Sequence, residues 1–374
     1  MIQARRSYRL TGTIVAESAL AVSRPGESFA SPPGSHLRLG KKAGRLPRLG
    51  PLREDAATYF PATTLRGAIR RAARTMIRRA VLKKTGNATP WSVDTHYMLT
   101  QGVDTTNKVI DEKNQGLIGN EESLRRDNPF LSLFGRWKLP GHLGIDNAIP
   151  ETLDCLYVEG RGVRSNDFVR DPGQAQFLTT DDAQRLKRII EQDGLAAIAS
   201  SDIDVQIKEL RREIRALKDP DEKGEIKEQI RTLEEQKNSV KAAKEGSREV
   251  IQRPLEGFEA ILPGTRMKHR MLLQNADQIE LGLMLASLKE FARSPYVGGH
   301  RSLHCGEVSA SWQVSYWPED GDPVSAGSIV LSANQFEIID ENNEKLLSGA
   351  LYAWDSALNR EDFPLRFERY LLSD

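Results

Sequence analysis

The chain has 374 residues, 53 Lys+Arg against 52 Asp+Glu, 39% hydrophobic residues and two cysteines. A chain of that length buries roughly 75% of its unfolded surface, which excludes wholesale disorder. No window approaches the ~20 apolar residues of a membrane span, and the charged start lacks the apolar stretch of a signal peptide, so the reading is a cytoplasmic protein with no membrane partner. Cys155 and Cys305 lie far apart without paired-cysteine spacing, which excludes a disulfide framework and a zinc ribbon.

The neutral total hides an asymmetry. Residues 1–84 hold 18 basic and 4 acidic side chains, while residues 315–374 hold 4 basic and 12 acidic. Such a split points to a polyanion-binding surface, or to complementary surfaces between copies.

In chain order, Tyr8, Leu10, Gly12 and Ile14 alternate with polar neighbours and predict a strand ending near Val22. Residues 24–60 are rich in Gly, Pro and cations, among them Arg38, Lys41, Lys42 and Arg45, without apolar periodicity, and read as a long basic loop. The stretch PATTLRGAIRRAARTMIRRAVLKK predicts a helix opening at Pro61. Leu65, Ile69, Ala72, Ala73, Met76 and Ala80 fall on one face and Arg66, Arg70, Arg71, Arg74 and Arg78 on a neighbouring one. No acid sits at i±4 to neutralise those arginines, so that face reads as a cationic ribbon.

Residues 85–128 read as a polar insertion. Short apolar runs return at NPFLSLFG and LGIDNA, before a predicted strand at Leu153–Val158, and a helix is expected over Asp182–Gln192. From 203 to 245, Ile203, Ile207, Leu210, Ile214 and Leu217, then Ile226, Ile230, Leu233 and Val240, keep heptad spacing with a break at Asp219-Pro220 and Gly224: a helical hairpin. Its nearly balanced charge favours helix packing or docking a partner over nucleic acid. LEGFEAILPGTRMKHRMLLQNA predicts two strands around Pro263-Gly264, with Lys268, His269 and Arg270 as a cationic patch. QIELGLMLASLKEFAR predicts an amphipathic helix with Ile279, Leu283, Leu285, Ala286 and Leu288 mostly on one side, and SPYVGGHRSLHCGEVSASWQVSYW a glycine-rich turn entering a strand. The series fits an α+β fold, a four-stranded sheet with helices on one face.

Three of these segments resemble motifs of the RAMP superfamily of CRISPR-associated proteins: PATTLRGAIRRAAR, NPFLSLFG with LGIDNA, and YVGGHRSLHCGEVS. The resemblance is to the guide-RNA-coating backbone subunits, most of all those of type IV systems. Ala62 stands where the family motif has Gly, and Arg66 where it has Lys. The resemblance implies an RRM/ferredoxin-like palm built discontinuously from 1–23, 61–84, 129–160 and 254–314. It makes 24–60 a thumb reaching a neighbouring subunit, 85–128 and 161–253 insertions (the latter holding the hairpin), and 315–374 an acidic C-terminal segment. It further implies guide RNA (crRNA), target DNA or RNA pairing through the guide, other effector subunits and further copies of the chain as partners in a helical filament of the antiviral ribonucleoprotein, with no cofactor.

Guide binding requires phosphate neutralisation without sequence readout. The residues expected to supply it are Arg38, Lys41, Lys42, Arg45, Thr64, Arg66, Arg70 and Arg74, with Lys268, Arg270, Gly299, His300, Arg301 and Ser302. In type III relatives a loop Asp cleaves target RNA, but the acids in the matching stretch here, Glu27, Glu54 and Asp55, have no recognisable motif, so no catalytic residue is assigned. One alternative is a metal-independent ribonuclease processing guide precursors, with His300 as general base. Another is an interaction adaptor built on the hairpin. His300, His304 and Cys305 have a spacing that superficially suits a metal, without a second ligand pair nearby, and no phosphate-binding glycine motif for nucleotide hydrolysis occurs.

Overall fold

The computed structural model describes residues 5–22, 28–29, 46–47, 58–86, 91–106, 118–159, 173, 176, 178–216, 220–242, 258–318, 320–341, 345–360 and 365–372. Most of the basic 24–60 stretch, including Arg38, Lys41, Lys42 and Arg45, lies outside them. The chain divides into two compact units, Met1–Gly160 with Gly257–Asp374, and Arg161–Glu256.

The larger unit is organised by β1 (Arg6–Ala16), whose Tyr8, Leu10, Ile14 and Ala16 point into the core while Arg9 and Thr11 point out. The two-residue strands β2 (Ser28–Phe29) and β3 (Leu46–Pro47) pair with each other. Next come α1 (Ala62–Thr85), α2 (Val93–Gln101), α3 (Ile118–Asp127), α4 (Pro129–Phe134), β4 (Leu143–Ile145), β5 (Ile149–Pro150) and β6 (Leu156–Glu159). After the second unit, the chain continues through β7 (Phe258–Ile261), β8 (Arg266–Ala276), α7 (Gln278–Ala292), β9 (Val308–Trp317), β10 (Val324–Ser332), β11 (Gln335–Asp340) and α8 (Leu346–Asn359).

The main sheet runs β11-β10-β9-β1-β8-β4, with β5 also on β8. Its centre, β9-β1-β8-β4, with α1 after β1 and α7 after β8, is the split βαβ arrangement of ferredoxin-like folds. Every pairing is antiparallel. The expected four-stranded sheet is thus the inner part of a larger one, because the acidic C-terminal segment supplies β10, β11 and α8. The two strands expected around Pro263-Gly264 form as β7 and β8 but do not pair with each other: β7 pairs with β6 in a separate ladder, while β8 joins the main sheet.

Helix α7 begins with a capping box, Asp277 accepting from the Glu280 amide and Glu280 from that of Asp277. It is buried nearly all round, so its hydrophobicity marks a central helix rather than an amphipathic one. Gly282 is what lets α8 cross it, since a Cβ there would lie 2.1 Å from the Ala350 carbonyl oxygen and 2.7 Å from Trp354 Cβ. The expected polar insertion holds α2 and α3, whose Met98, Leu99 and Leu124 are fully buried. Short helices carry too few turns for periodicity to reveal them.

The smaller unit contains α5 (Thr180–Ala216) and α6 (Pro220–Ala242), packed as a hairpin. The first helix is longer than expected, and the second begins at Pro220, where a missing N–H costs nothing, so that Gly224 falls inside it. Among the described residues no helix is long and apolar enough to cross a membrane.

Candidate nucleic-acid interface

The arginines of α1 divide into two rows. Arg66, Arg70 and Arg74, spaced by four, face the protein. Arg66 donates to the carbonyls of Leu143 and Phe134, each at 2.7 Å. Arg70 is buried and donates through Nε to Leu99 O (2.8 Å), through Nη2 to Met98 O (2.7 Å) and through Nη1 to Phe134 O (3.3 Å). Those acceptors are the last-turn carbonyls of α2 and α4, so one guanidinium serves the negative ends of two helices while lying over the Phe130 and Phe134 rings at 5.4 and 6.0 Å. Burial, with the charge of Arg66, pushes Arg70 down to about 10, which leaves it protonated at neutral pH. Arg74 donates to Thr100 Oγ1 at 2.6 Å. The expected ribbon is therefore corrected for this row. These donors tie α1 to its neighbours, and Arg70 has no surface to offer a phosphate.

The second row, Arg71 and Arg78, is exposed. Burial lowers Arg71, and so do the charges of Arg301 and Arg74; burial and Arg78 lower Arg74. The guanidinium of the glycine-rich loop is thus within electrostatic reach of α1. The start of α1 lies on the same helix, with no acid in its first turn and no side-chain cap. The Ala62 amide is taken by Asn147 Oδ1 (2.8 Å), and Thr64 is half-buried, its own amide bonded to Pro61 O.

The loop that presents Arg301 is rigidly built. Gly298 has φ +78°, and a Cβ there would stand 2.4 Å from Ala21 O; the Gly299 amide donates to that same oxygen at 2.9 Å. That bond engages the Gly299 N–H expected for phosphate. His300 and His304 are both left-handed, at φ 56° and 58°, around a single 3-10 turn, Arg301–Leu303. The His300 ring stacks on Phe258 at 4.0 Å with 3° between planes, and beneath it Ala19, Ala21, Phe258, Ala260 and Cys305 form a small apolar cluster. His300, Arg301, Ser302 and His304 are exposed, whereas Cys305 is buried. Among the described residues no three His, Cys, Asp or Glu side chains stand together to hold a metal.

On β8 strand alternation separates the expected patch. Lys268 and Arg270 face out, while His269 faces in and is 2% exposed. Its Nδ1 accepts from Trp312 Nε1 at 3.1 Å, and burial pushes it down to about 4. Arg270 is committed to Asp146, at 2.8 and 2.7 Å. Lys268 stands opposite Thr13, which in turn faces Ser311, and Thr11 faces Gln313. The threonines, Ser311 and Gln313 line a groove of about 450 Å³ on the sheet face opposite the helices. Hydroxyls and amides there can meet ribose and phosphate oxygens, whereas the described residues lining the groove include no aromatic ring for base stacking.

The strand order and these three motif regions now stand in one unit, and the profile of the RAMP superfamily matches residues 49–309. The chain belongs to the RAMP superfamily. Membership places it among CRISPR-associated, RNA-binding proteins of antiviral defence, with CRISPR RNA and complex subunits as its general partners. No curated protein matches the chain. Within this RAMP protein Arg71 and Arg78 on α1, Arg301 on the loop and, on the outer face of the sheet, Lys268 and Arg266 are exposed cations, and the first two, read as part of the ribbon, are absent from the residues expected to contact phosphate. The signal that finds them is the width of the apolar arc of α1, which covers Arg66 and Arg70 once Ile77 and Val81 are counted in it.

Proposed function

We propose that this RAMP protein is a non-catalytic guide-RNA-coating subunit whose copies follow one another head to tail along the RNA. The observation that carries the reading is the pair of exposed guanidinium groups, Arg71 on α1 and Arg301 on the glycine-rich loop, whose like charges act on one another. A coat for a guide of arbitrary sequence needs that kind of contact, because phosphates repeat while bases vary. The sheet groove is compatible with the same reading, offering hydroxyls, the Gln313 amide and Arg266 among aliphatic walls, alongside Glu17, rather than a stacking platform. The ends of the basic stretch support it further: Ala21 contacts the loop glycines, and Phe60 pairs with Ala148 beside the start of α1. Repetition of one heterologous contact produces an open filament rather than a closed ring.

Labelled single-stranded RNA titrated across a salt series tests the reading. The Arg71→Ala/Arg301→Ala variant should weaken binding for every sequence alike and reduce the salt slope by about 0.7 for each phosphate that is no longer neutralised. Arg126→Ala, an exposed side chain paired with Asp127, should leave the slope unchanged. Purified protein should carry RNA and show as elongated particles by electron microscopy. A nucleic-acid-free monomer whose RNA affinity ignores the double change would sink the proposal. Repeat RNA should stay intact with wild type and with His300→Ala; cleavage by wild type that disappears in the variant would favour the processing nuclease instead.

A further inference from the structure

The hairpin of the smaller unit, taken by itself, is asymmetric across its seam. Ile203, Ile207, Leu210 and Ile214 on α5 face Ile226, Ile230 and Leu233 on α6, in heptad spacing. One flank of that seam is closed by opposite charges, Lys237 bonded to Asp204 and Arg211 to Glu234 at 3.0 Å. The other flank carries carboxylates from both helices, Glu209 and Glu213 against Glu225 and Glu228. Together with Leu210 and Leu233 they line a groove of about 830 Å³ with no cation among the described residues of its walls. Like charges at flanking positions weaken a helix pair. The seam itself is also left open. Ile207 is the one apolar side chain buried among the described residues of this unit, and Leu210, Ile214, Ile226, Ile230 and Leu233 are half-exposed.

We infer that this groove seats a basic amphipathic helix supplied by another protein, as the third helix of a coiled-coil bundle. Leucines at the core positions of such a helix would cover Leu210 and Leu233, and Lys or Arg at its flanking positions would meet the glutamates of the groove, of which Glu228 also has Arg231 at 3.5 Å on its own helix. The chemistry excludes the alternatives. RNA would bring phosphates against four carboxylates. A metal is not favoured either, since no His, Cys, Asp or Glu group among the described residues is placed to hold one. An acidic or neutral helix would leave the like-charged flank unrelieved. The inference does not depend on the RNA-coating proposal, because none of its residues belongs to the candidate RNA surface.

The full-length protein tests it against two synthetic three-heptad peptides, both with Leu at the a and d positions, one with Lys and the other with Glu at e and g. Fluorescence anisotropy at physiological salt should show the Lys peptide binding about tenfold or more tightly than its Glu twin. Glu209→Lys with Glu228→Lys should reverse that preference, with unchanged circular dichroism and unchanged RNA affinity. Equal binding of the two peptides, no binding of either, or a preference untouched by the double change would overturn the inference, as would a loss of RNA affinity in the variant. Sedimentation velocity of the protein alone closes the remaining route. If the double change alters the oligomeric state, the groove belongs to a second copy, and the partner-helix inference falls.

Discussion

Arg70 shows how a charge can read as a ligand in sequence and act as a joint in structure. Its three nitrogens donate to last-turn carbonyls of α2 and α4, sharing Met98 O with the Gly102 amide and Phe134 O with Arg66. Arg70→Ala should lower stability by about 3–5 kcal/mol, the usual cost of stripping a buried charged donor from its acceptors, and Arg70→Lys should rescue little, because an ammonium cannot span the fork. Thermal denaturation of both variants checks this. His269 yields a pH prediction. Its folded value of about 4 lies below the ordinary imidazole value of 6.5, so the fold favours the neutral ring. That contribution is complete above pH 6.5 and is lost as pH falls towards 4, by about 3 kcal/mol in all. Urea titrations across this range should show the loss in wild type, and a flatter profile in His269→Asn, which retains an acceptor for Trp312 but does not titrate. Neither role was legible from the residues alone. The arginine spacing placed Arg70 on an open ribbon and the run of three cations grouped His269 with its exposed neighbours, whereas both are covered by elements far along the chain.

At the scale of elements, α1, α7 and the long strands were legible because each repeats its apolar pattern over several turns or pairs. β10, β11 and α8 were read as an acidic tail because their charges dominate the composition. The burial that identifies them, at Ile329, Leu331 and Trp354, is matched to residues on other elements. Helix packing gives a paired test on two glycines. Gly282→Ala would drive a methyl into the Ala350 carbonyl and should destabilise by about 1–3 kcal/mol or more. Gly349→Ala meets nothing within 4 Å and should stabilise α8 by up to about 1 kcal/mol through helix propensity. Equal melting temperatures for the two variants would contradict the close crossing of α7 and α8.

At the scale of the molecule, the smaller unit is inserted between paired strand ends, with Glu159 directly opposite Phe258 in the β6–β7 ladder. Replacing residues 161–256 by a short glycine-containing turn should therefore leave a folded palm with wild-type RNA affinity and abolish binding of the Lys peptide. A chain that aggregates or loses RNA binding would show that the palm needs the insertion. The order of strands has a temporal consequence as well. β1 is made first yet lies inside the sheet, with Arg6 opposite Ala276 on one side and Ser7 opposite Trp317 on the other. At synthesis rates of about 5–20 residues per second, β1 leaves the ribosome on the order of 15–60 s before β9 exists to flank it. Helices such as α1 form from local contacts during that wait, but the palm sheet can close only once β9 has been made. Until then the nascent chain carries an apolar strand without its neighbours, the kind of edge that chaperones hold.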